Sequence, residues 1–407
     1  MRSTVIRTRC APRCARADAA GGDAQALRAR VASARRGGAP GALLAVRRDA
    51  GMQRSLALLL EAARADELTP RGSTDALWAA GALSSESGAL GKELDVFAAA
   101  VTRTAAARAL PPHCAADAAW ALAQARHSAP QLFLELAGCA REGWQGAASA
   151  RTHSTLIWAS AVLCEPAGGP PGAPVTEALV KGCPALCSAG AGAAQGLAGW
   201  SSAQLALTLW SLACAEGFAW PAFDCAWREL CGRDGGECAQ QLPQLALCQL
   251  AQAALDAAHA RAHALPPLPD ALGDAAQRAW RSRCDARSRR GASTPSSAAQ
   301  ADVGRVLRSL GRTLHAEAMG PGGYTLDWAI QVVGQVEPTL LEYDGSSHFA
   351  RNAPRPAPPL GATRLKRRHL RDRGACLVVV PHWEWEALTG ATQRQRYLRD
   401  LLATVEQ

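Results

Sequence analysis

Lysine is nearly absent from this chain. Of 44 basic side chains only Lys92, Lys181 and Lys366 are lysine, and the rest are arginine. Aromatic residues are scarce at 5%, yet tryptophan (12) outnumbers phenylalanine (5) and tyrosine (3) together. No run of eighteen apolar residues occurs, which excludes a membrane-spanning helix and predicts no membrane insertion. The 14 cysteines are scattered, without a CxxC pair or a Cys/His array at zinc spacing, which excludes the common structural zinc modules. The nearest pairs, Cys10/Cys14 and Cys183/Cys187, have three residues between them. Most others, such as Cys214 and Cys248, sit in apolar helical patterns and read as reduced, buried thiols. A kinase is excluded by the absence of a Gly-rich phosphate loop, a catalytic loop and a kinase metal motif. No acid occurs before Asp18.

The 407 residues are 48% hydrophobic, enough for a packed core and for two domains. Ala, Gly, Arg and Pro are abundant, as under a GC-rich coding bias, which accounts for most of the preference for Arg over Lys. The net charge of +9 favours a polyanionic partner. Residues 1–52 are rich in Arg and Ala, mixed with Gly and Ser, and lack the apolar segment of a secretory signal. They read as an organelle transit peptide or a disordered basic arm.

Residues 55–277 read as an α-helical repeat domain. One helix pattern recurs: STDALWAAGAL at Trp78, AADAAWALAQA at Trp120, HSTLIWASAVL at Trp158 and LALTLWSLACA at Trp210. A fifth copy, LALCQLAQAAL, has Cys248 at the tryptophan position. The period is near forty residues, and no copy can bury its own apolar face, which predicts an α-solenoid of helical hairpins. Second helices such as KELDVFAAAVTRTA, QLFLELAGCAREG and AFDCAWRELCG lie between them. Ser73, Asp117, Ser154 and Ser202 precede or open the Trp helices as caps would. The tryptophans are flanked by Leu and Ala, so packing between repeats is preferred over stacking on bases. Residues 278–302, basic and then Ser/Pro/Ala-rich, read as a linker.

From 303 to 405 the period changes. VGRVLRSLGRTLHAEA reads as a helix, YTLDWAIQVV and TLLEYDG as strands, ATRLKRRHLRDRG as a helix, ACLVVV as a buried strand and QRQRYLRDLLATV as a closing helix. This predicts a small α/β domain. Asp344 and Gly345 suit a tight turn in which Gly takes positive φ. Lys366, Arg367 and Arg368 are consecutive, so on a helix one or two meet phosphate while another is solvated. Trp383 and Trp385, two apart in an extended segment, share a side and either close the domain or stack on bases.

The residues Glu342, Asp344, Gly345, His348, Phe349, Leu360, Gly361, Thr363, Lys366, Arg367, Leu370, Gly374, Val380, Pro381, Glu384 and Trp385 follow in order the pattern of the RAP domain. The C-terminal quarter resembles that RNA-binding module of organellar proteins. The preceding half resembles octotricopeptide repeats and the helical repeats of FAST-kinase-like proteins, though only the Trp-Ala-x-Ala helix persists. The resemblance implies an RNA-binding face built from Asp344, His348, Phe349, Arg351, Lys366, Arg367, Arg368, Trp383 and Trp385, with Arg355 beside Arg351 in a Pro-rich loop. The fold class is therefore mainly α: an α-solenoid followed by a small restriction-endonuclease-like α/β domain. In that fold a first strand supplies an Asp and the next E-x-K. Here Asp327 and Glu342 fit, and Asp344 stands where lysine is expected. Lys366 on the following helix could supply the missing cation.

Three functions remain open at this point. The preferred one is a non-enzymatic protein binding single-stranded organellar mRNA or rRNA in the chloroplast stroma or mitochondrial matrix, alone or with other ribonucleoprotein components. It would act in processing, stability or translation, with no cofactor. The second is a metal-dependent ribonuclease using Asp327, Glu342 and Asp344 with Mg²⁺. The third is a protein-interaction scaffold.

Overall fold

The computed structural model describes residues 11–39, 41–87, 90–142, 144, 148–163, 173–187, 194–217, 220–261, 265–291, 297–331 and 337–405. Two compact units emerge, 1–200 with 350–354, and 201–349 with 355–407.

The first unit is helical. Its helices are α1 (Ala11–Arg36), α2 (Ala42–Arg48), α3 (Ala50–Arg64), α4 (Pro70–Ser87), α5 (Gly91–Ala106), α6 (Pro112–Ala125), α7 (Pro130–Glu142), α8 (Ala150–Leu163), α9 (Ala173–Lys181) and the short α10 (Pro184–Cys187) and α11 (Ala194–Leu197). α1, α4, α6 and α8 stack in one layer, and α3, α5, α7 and α9 in a second. This is the stacked-hairpin geometry that the forty-residue period requires. Alanine and glycine let the Trp helices approach closely. A Cβ on Gly81 of α4 would lie 2.7 Å from the Ala121 carbonyl oxygen of α6.

Several local expectations need correction here. Residues 11–36, assigned from sequence to a cleavable or disordered arm, form α1. Ala24, Leu27 and Val31 are buried, and α1 packs on α4. A three-residue apolar spacing was too sparse to stand out in so polar a helix. Ser73, Asp117 and Ser154 lie inside their helices, because Pro70, Pro112 and Ala150 open them earlier. Ser73 and Ser154 hydroxyls instead donate to carbonyls three residues back. Trp78 and Trp120 are half-buried and stack with ring centroids 5.4 Å apart. The Arg28 and Arg35 guanidiniums of α1 cover them at 4.7 and 4.4 Å. Arg28 also bridges Asp75 and Asp117, both at 2.7 Å.

The second unit starts with α12 (Ser202–Cys214), α13 (Pro221–Cys231), α14 (Gly235–Gln241), α15 (Gln244–Arg261), α16 (Asp270–Gly291) and α17 (Ala298–Ser309). It continues with β1 (Thr313–Met319), β2 (Thr325–Gln331), β3 (Thr339–Asp344), α18 (Gly361–Arg371), β4 (Leu377–Pro381), α19 (His382–Glu386) and α20 (Ala391–Ala403). Ser201 caps α12 in a reciprocal box with Gln204. The sheet order is β1-β2-β3-β4, antiparallel through β3, with β4 parallel to β3. The α18 crossover makes that parallel pair possible. Val303, Leu307, Trp328, Ile330, Leu341, Val378, Val380, Trp385, Leu398 and Leu402 form one core between the sheet and α17, α19 and α20. Burial of each contributes about 1.5–3 kcal/mol.

The expected linker at 278–302 is largely helix. α16 runs through 291, and Trp280 is buried, donating its indole N–H to the Gly322 carbonyl at 2.8 Å and meeting the Tyr324 ring edge-on. Composition alone did not reveal that one tryptophan anchors the basic helix. The expected single helix over 303–318 is α17 followed by strand β1. Gly311, at φ 75°, breaks it after Ser309. Residues 382–386 are helical rather than extended, so Trp383 and Trp385 do not share a side. Gly345 has φ −65°, so its turn makes no demand on glycine, whereas Gly374 closes α18 with φ 75°.

The close approach of α4 and α6 yields a test. Gly81→Ala is expected to destabilise by about 1–3 kcal/mol through overpacking. Gly91→Ala, whose Cβ meets open space, is expected to be neutral or slightly stabilising. Urea midpoints by circular dichroism compare the two, and equal midpoints would refute the contact.

Candidate functional site

β3 has Leu341 and Tyr343 in the core, so the alternating Glu342 and Asp344 project to the opposite face, toward α18. Both carboxylates are buried. Helix α18 supplies a cation to each. Lys366 Nζ lies 2.6 and 2.7 Å from the two Glu342 oxygens and also donates to the Thr325 carbonyl at 2.8 Å. Arg367 forms an ion pair with Asp344 through Oδ2, and His348 Nδ1 lies 3.2 Å from Asp344 Oδ1. The Thr363 hydroxyl is 3.2 Å from the same His348 nitrogen.

Asp327, on β2, is buried beside this pair. It accepts from Gln300 Nε2 at 2.9 Å and from the Tyr343 backbone N–H at 2.8 Å. Burial, and then the negative charge of Glu342, push its carboxyl up to about 7, against the opposing pull of the Tyr343 N–H and Lys366. Asp327, Glu342 and Lys366 are thus brought together as the acid–acid–lysine pattern requires, with lysine arriving from the helix. Glu342, Asp344 and His348 also place one ligand atom each within 4.8 Å of one another, a donor set of a kind a divalent cation accepts. Its oxygens already face Lys366 and Arg367, so a cation bound there would have to displace an ammonium or a guanidinium.

The remaining sequence candidates divide. Arg368 points away from the acids, toward α12 and α15, donating to the Ala213 carbonyl at 2.7 Å and to Asp256 at 2.6 Å. No member of the Lys366–Arg367–Arg368 run is a solvated side chain. Phe349 and Trp385 are 2% exposed and belong to the interior. Trp383 is half-buried, with the Phe349 ring edge-on at 4.5 Å and the exposed Arg355 guanidinium 4.6 Å above it. Arg355 also donates to His382 Nε2 at 3.1 Å. Arg351 belongs to the first unit, where its guanidinium donates to the Ser84 and Ser85 carbonyls.

Sequence reasoning missed Asp256, Tyr324 and His369. Buried Asp256 accepts from His369 Nε2 at 2.9 Å as well as from Arg368, and His369 Nδ1 lies 2.8 Å from the Tyr324 hydroxyl. Gln252 Nε2 donates to that hydroxyl at 3.0 Å, and the Trp210 indole donates to Gln252 at 2.9 Å. Burial holds the Tyr324 hydroxyl protonated far above its ordinary range. An Asp on the apolar helix QLALCQLAQAALDAAHAR was the available signal. Among the described residues no helix is long and apolar enough to cross a membrane.

Residues 341–401 match the RAP domain, and the chain therefore carries one at its C-terminal end. It is similar to a RAP domain-containing protein, chloroplastic, of Oryza sativa subsp. japonica, with 38% identity over 117 residues. That stretch is 28% of this chain and 17% of the rice protein, so the likeness covers a small part of the relative.

Two outcomes test the buried acids. Lys366→Met strands Glu342 and is expected to cost about 3–5 kcal/mol, much of it recovered when Glu342→Gln is added. Denaturant unfolding of the single and double variants decides this, and additive losses would mean no coupling. For Asp327 the folded carboxyl lies above its unfolded value of about 3.9. The folded state therefore holds a proton that the unfolded chain has lost between pH ~4 and ~7, and stability from this group falls as pH rises through that window. The penalty above it is on the order of 4 kcal/mol at most. Asp327→Asn, with the Gln300 amide turned to accept, is expected to flatten the decline in melting temperature between pH 5 and 8. An unchanged slope would show the carboxyl ionised throughout.

Proposed function

We propose that this chain binds single-stranded RNA in an organelle and acts on it after transcription, in processing, stability or translation of a transcript or rRNA. The observation that carries the reading is the RAP match over the domain in which Glu342 and Asp344 are each closed by a cation of α18. The acids serve as an internal joint that sets the helix on the sheet. Exposed arginines elsewhere on the unit, such as Arg283 on α16, Arg308 on α17 and Arg399 on α20, offer phosphate contacts. The net charge of +9 agrees in sign. The rice relative's name places that protein in the chloroplast, and the compartment carried over is the chloroplast stroma or mitochondrial matrix. A targeting segment compatible with the packing of α1 ends before Ala24 rather than near residue 52.

A metal-dependent ribonuclease is the second reading, favoured by the meeting of Asp327, Glu342 and Lys366. In it Mg²⁺ would lie against Glu342 and Asp344 and neutralise charge at the scissile phosphate. The ion pairs of α18 oppose that role. The scaffold reading needs only the helical layers.

Fluorescence anisotropy of the full chain with a labelled single-stranded RNA separates the three. Under the first reading affinity falls steeply with salt, about 0.7 log units per log unit for each phosphate contact, and the RNA stays intact in Mg²⁺. Cleavage in Mg²⁺ that Asp327→Asn abolishes would establish the nuclease. No binding at low salt would leave the scaffold.

A further inference from the structure

A second feature of the second unit adjoins the acid–cation joint, and Lys366, His348 and Thr363 line both. Between α12, α15, α16 and α18 lies an open cleft of about 310 Å³, at the lower end of the volumes that hold small organic ligands. Its walls include the indoles of Trp210 and Trp280 and the ring of Tyr324. Gln249 and Gln252, three apart on α15, line one side. Gln252 is fixed at both ends, accepting from Trp210 and donating to Tyr324, so that wall is pre-organised. Arg283 is exposed at the cleft, and α16 also carries Arg278 and Arg281 on exposed positions. No carboxylate occurs among the described lining residues.

Aromatic walls, an amide edge and a cation at an acid-free mouth are complementary to one ligand chemistry. A nucleobase offers a π-face and a hydrogen-bonding edge, and its phosphate offers charge. We propose that this cleft takes one unstacked nucleotide of a single-stranded RNA, with the base against Trp210 and Trp280, its edge toward Gln249, and the adjoining phosphate at Arg283. The assignment rests on the RNA-binding reading and deepens it. It places nucleotide recognition where the last Trp helix meets the RAP helix, with Lys366 the member of the basic run that lines the cleft.

Ala362 of α18 is exposed and lines the cleft, and Leu245 of α15, 57% exposed, lines it from another side. Ala362→Trp and Leu245→Trp fill the cleft independently without touching the core. The full-length protein is titrated with a twelve-nucleotide single strand containing 4-thiouridine, and photocrosslinks are mapped by mass spectrometry. Each filling variant, checked for an unchanged melting curve, is expected to bind about tenfold more weakly. Arg283→Gln is expected to lower the salt slope by about 0.7, the share of one phosphate. Crosslinks are expected in 244–261 or 270–291. Wild-type affinity in both filled variants, with crosslinks elsewhere, overturns the cleft while RNA binding stands. No binding by the wild type overturns both. Uridine monophosphate competing as tightly as the strand makes this a free-nucleotide site and overturns the RNA assignment.

Discussion

A buried carboxylate, Asp256 of α15, fixes where the basic helix α18 lies. It is 3% exposed and takes two cationic or polar donors from consecutive residues, Arg368 and His369. A buried carboxylate without donors would cost several kcal/mol, so this acid and that helix position require each other. The same helix meets the C-terminal end of α12, where Arg364 and Arg368 donate to the Cys214 and Ala213 carbonyls. Those are among the carbonyls that a helix end leaves without intrahelical partners, and the end carries partial negative charge. A run of arginines that reads from sequence as a phosphate-binding surface therefore works largely as a helix cap and a counter-ion.

Geometry explains why no residue of the run is left over. Successive residues of a helix are rotated by about 100°, so Lys366, Arg367 and Arg368 point in three directions. Two of them find acids of β3, and the third finds α12 and α15. The helix is surrounded by acceptors on three sides. Exposed arginines of the unit lie outside the run, among them Arg283, Arg308, Arg355 and Arg399.

Sequence periodicity fixed the Trp helices and their partners well, because each repeats one apolar stripe at a constant interval. It also located β2, β3, α18, β4 and α20 within a few residues. It failed where one residue overrules its neighbours. Gly311 turns a continuous helical pattern into a helix and a strand, and Trp280 anchors a segment whose composition reads as a tether. At the site, the acids and cations of the motif were legible as residues but not as pairs. Asp327 and Glu342 lie 15 positions apart, and Lys366 a further 24. Asp256 lies outside the motif altogether, and no spacing relates it to His369. The amide and indole lining of the cleft comes from three helices and was invisible for the same reason.

The acid pair has a charge state that bears on what it can do. Asp327, pushed up to about 7 by burial and by Glu342, is about half protonated near neutral pH. Lys366 lies at hydrogen-bond distance from both Glu342 oxygens. A divalent cation entering this constellation would have to withdraw Lys366 from three acceptors and accommodate an ammonium elsewhere in a site that is nearly closed to water. Both steps oppose binding, whereas the pairing of α18 with β3 is served by the Lys366–Glu342 ion pair as it stands. These acids hold α18 against β3 through Lys366 and Arg367, and α18 in turn lines the cleft it shares with α12, α15 and α16.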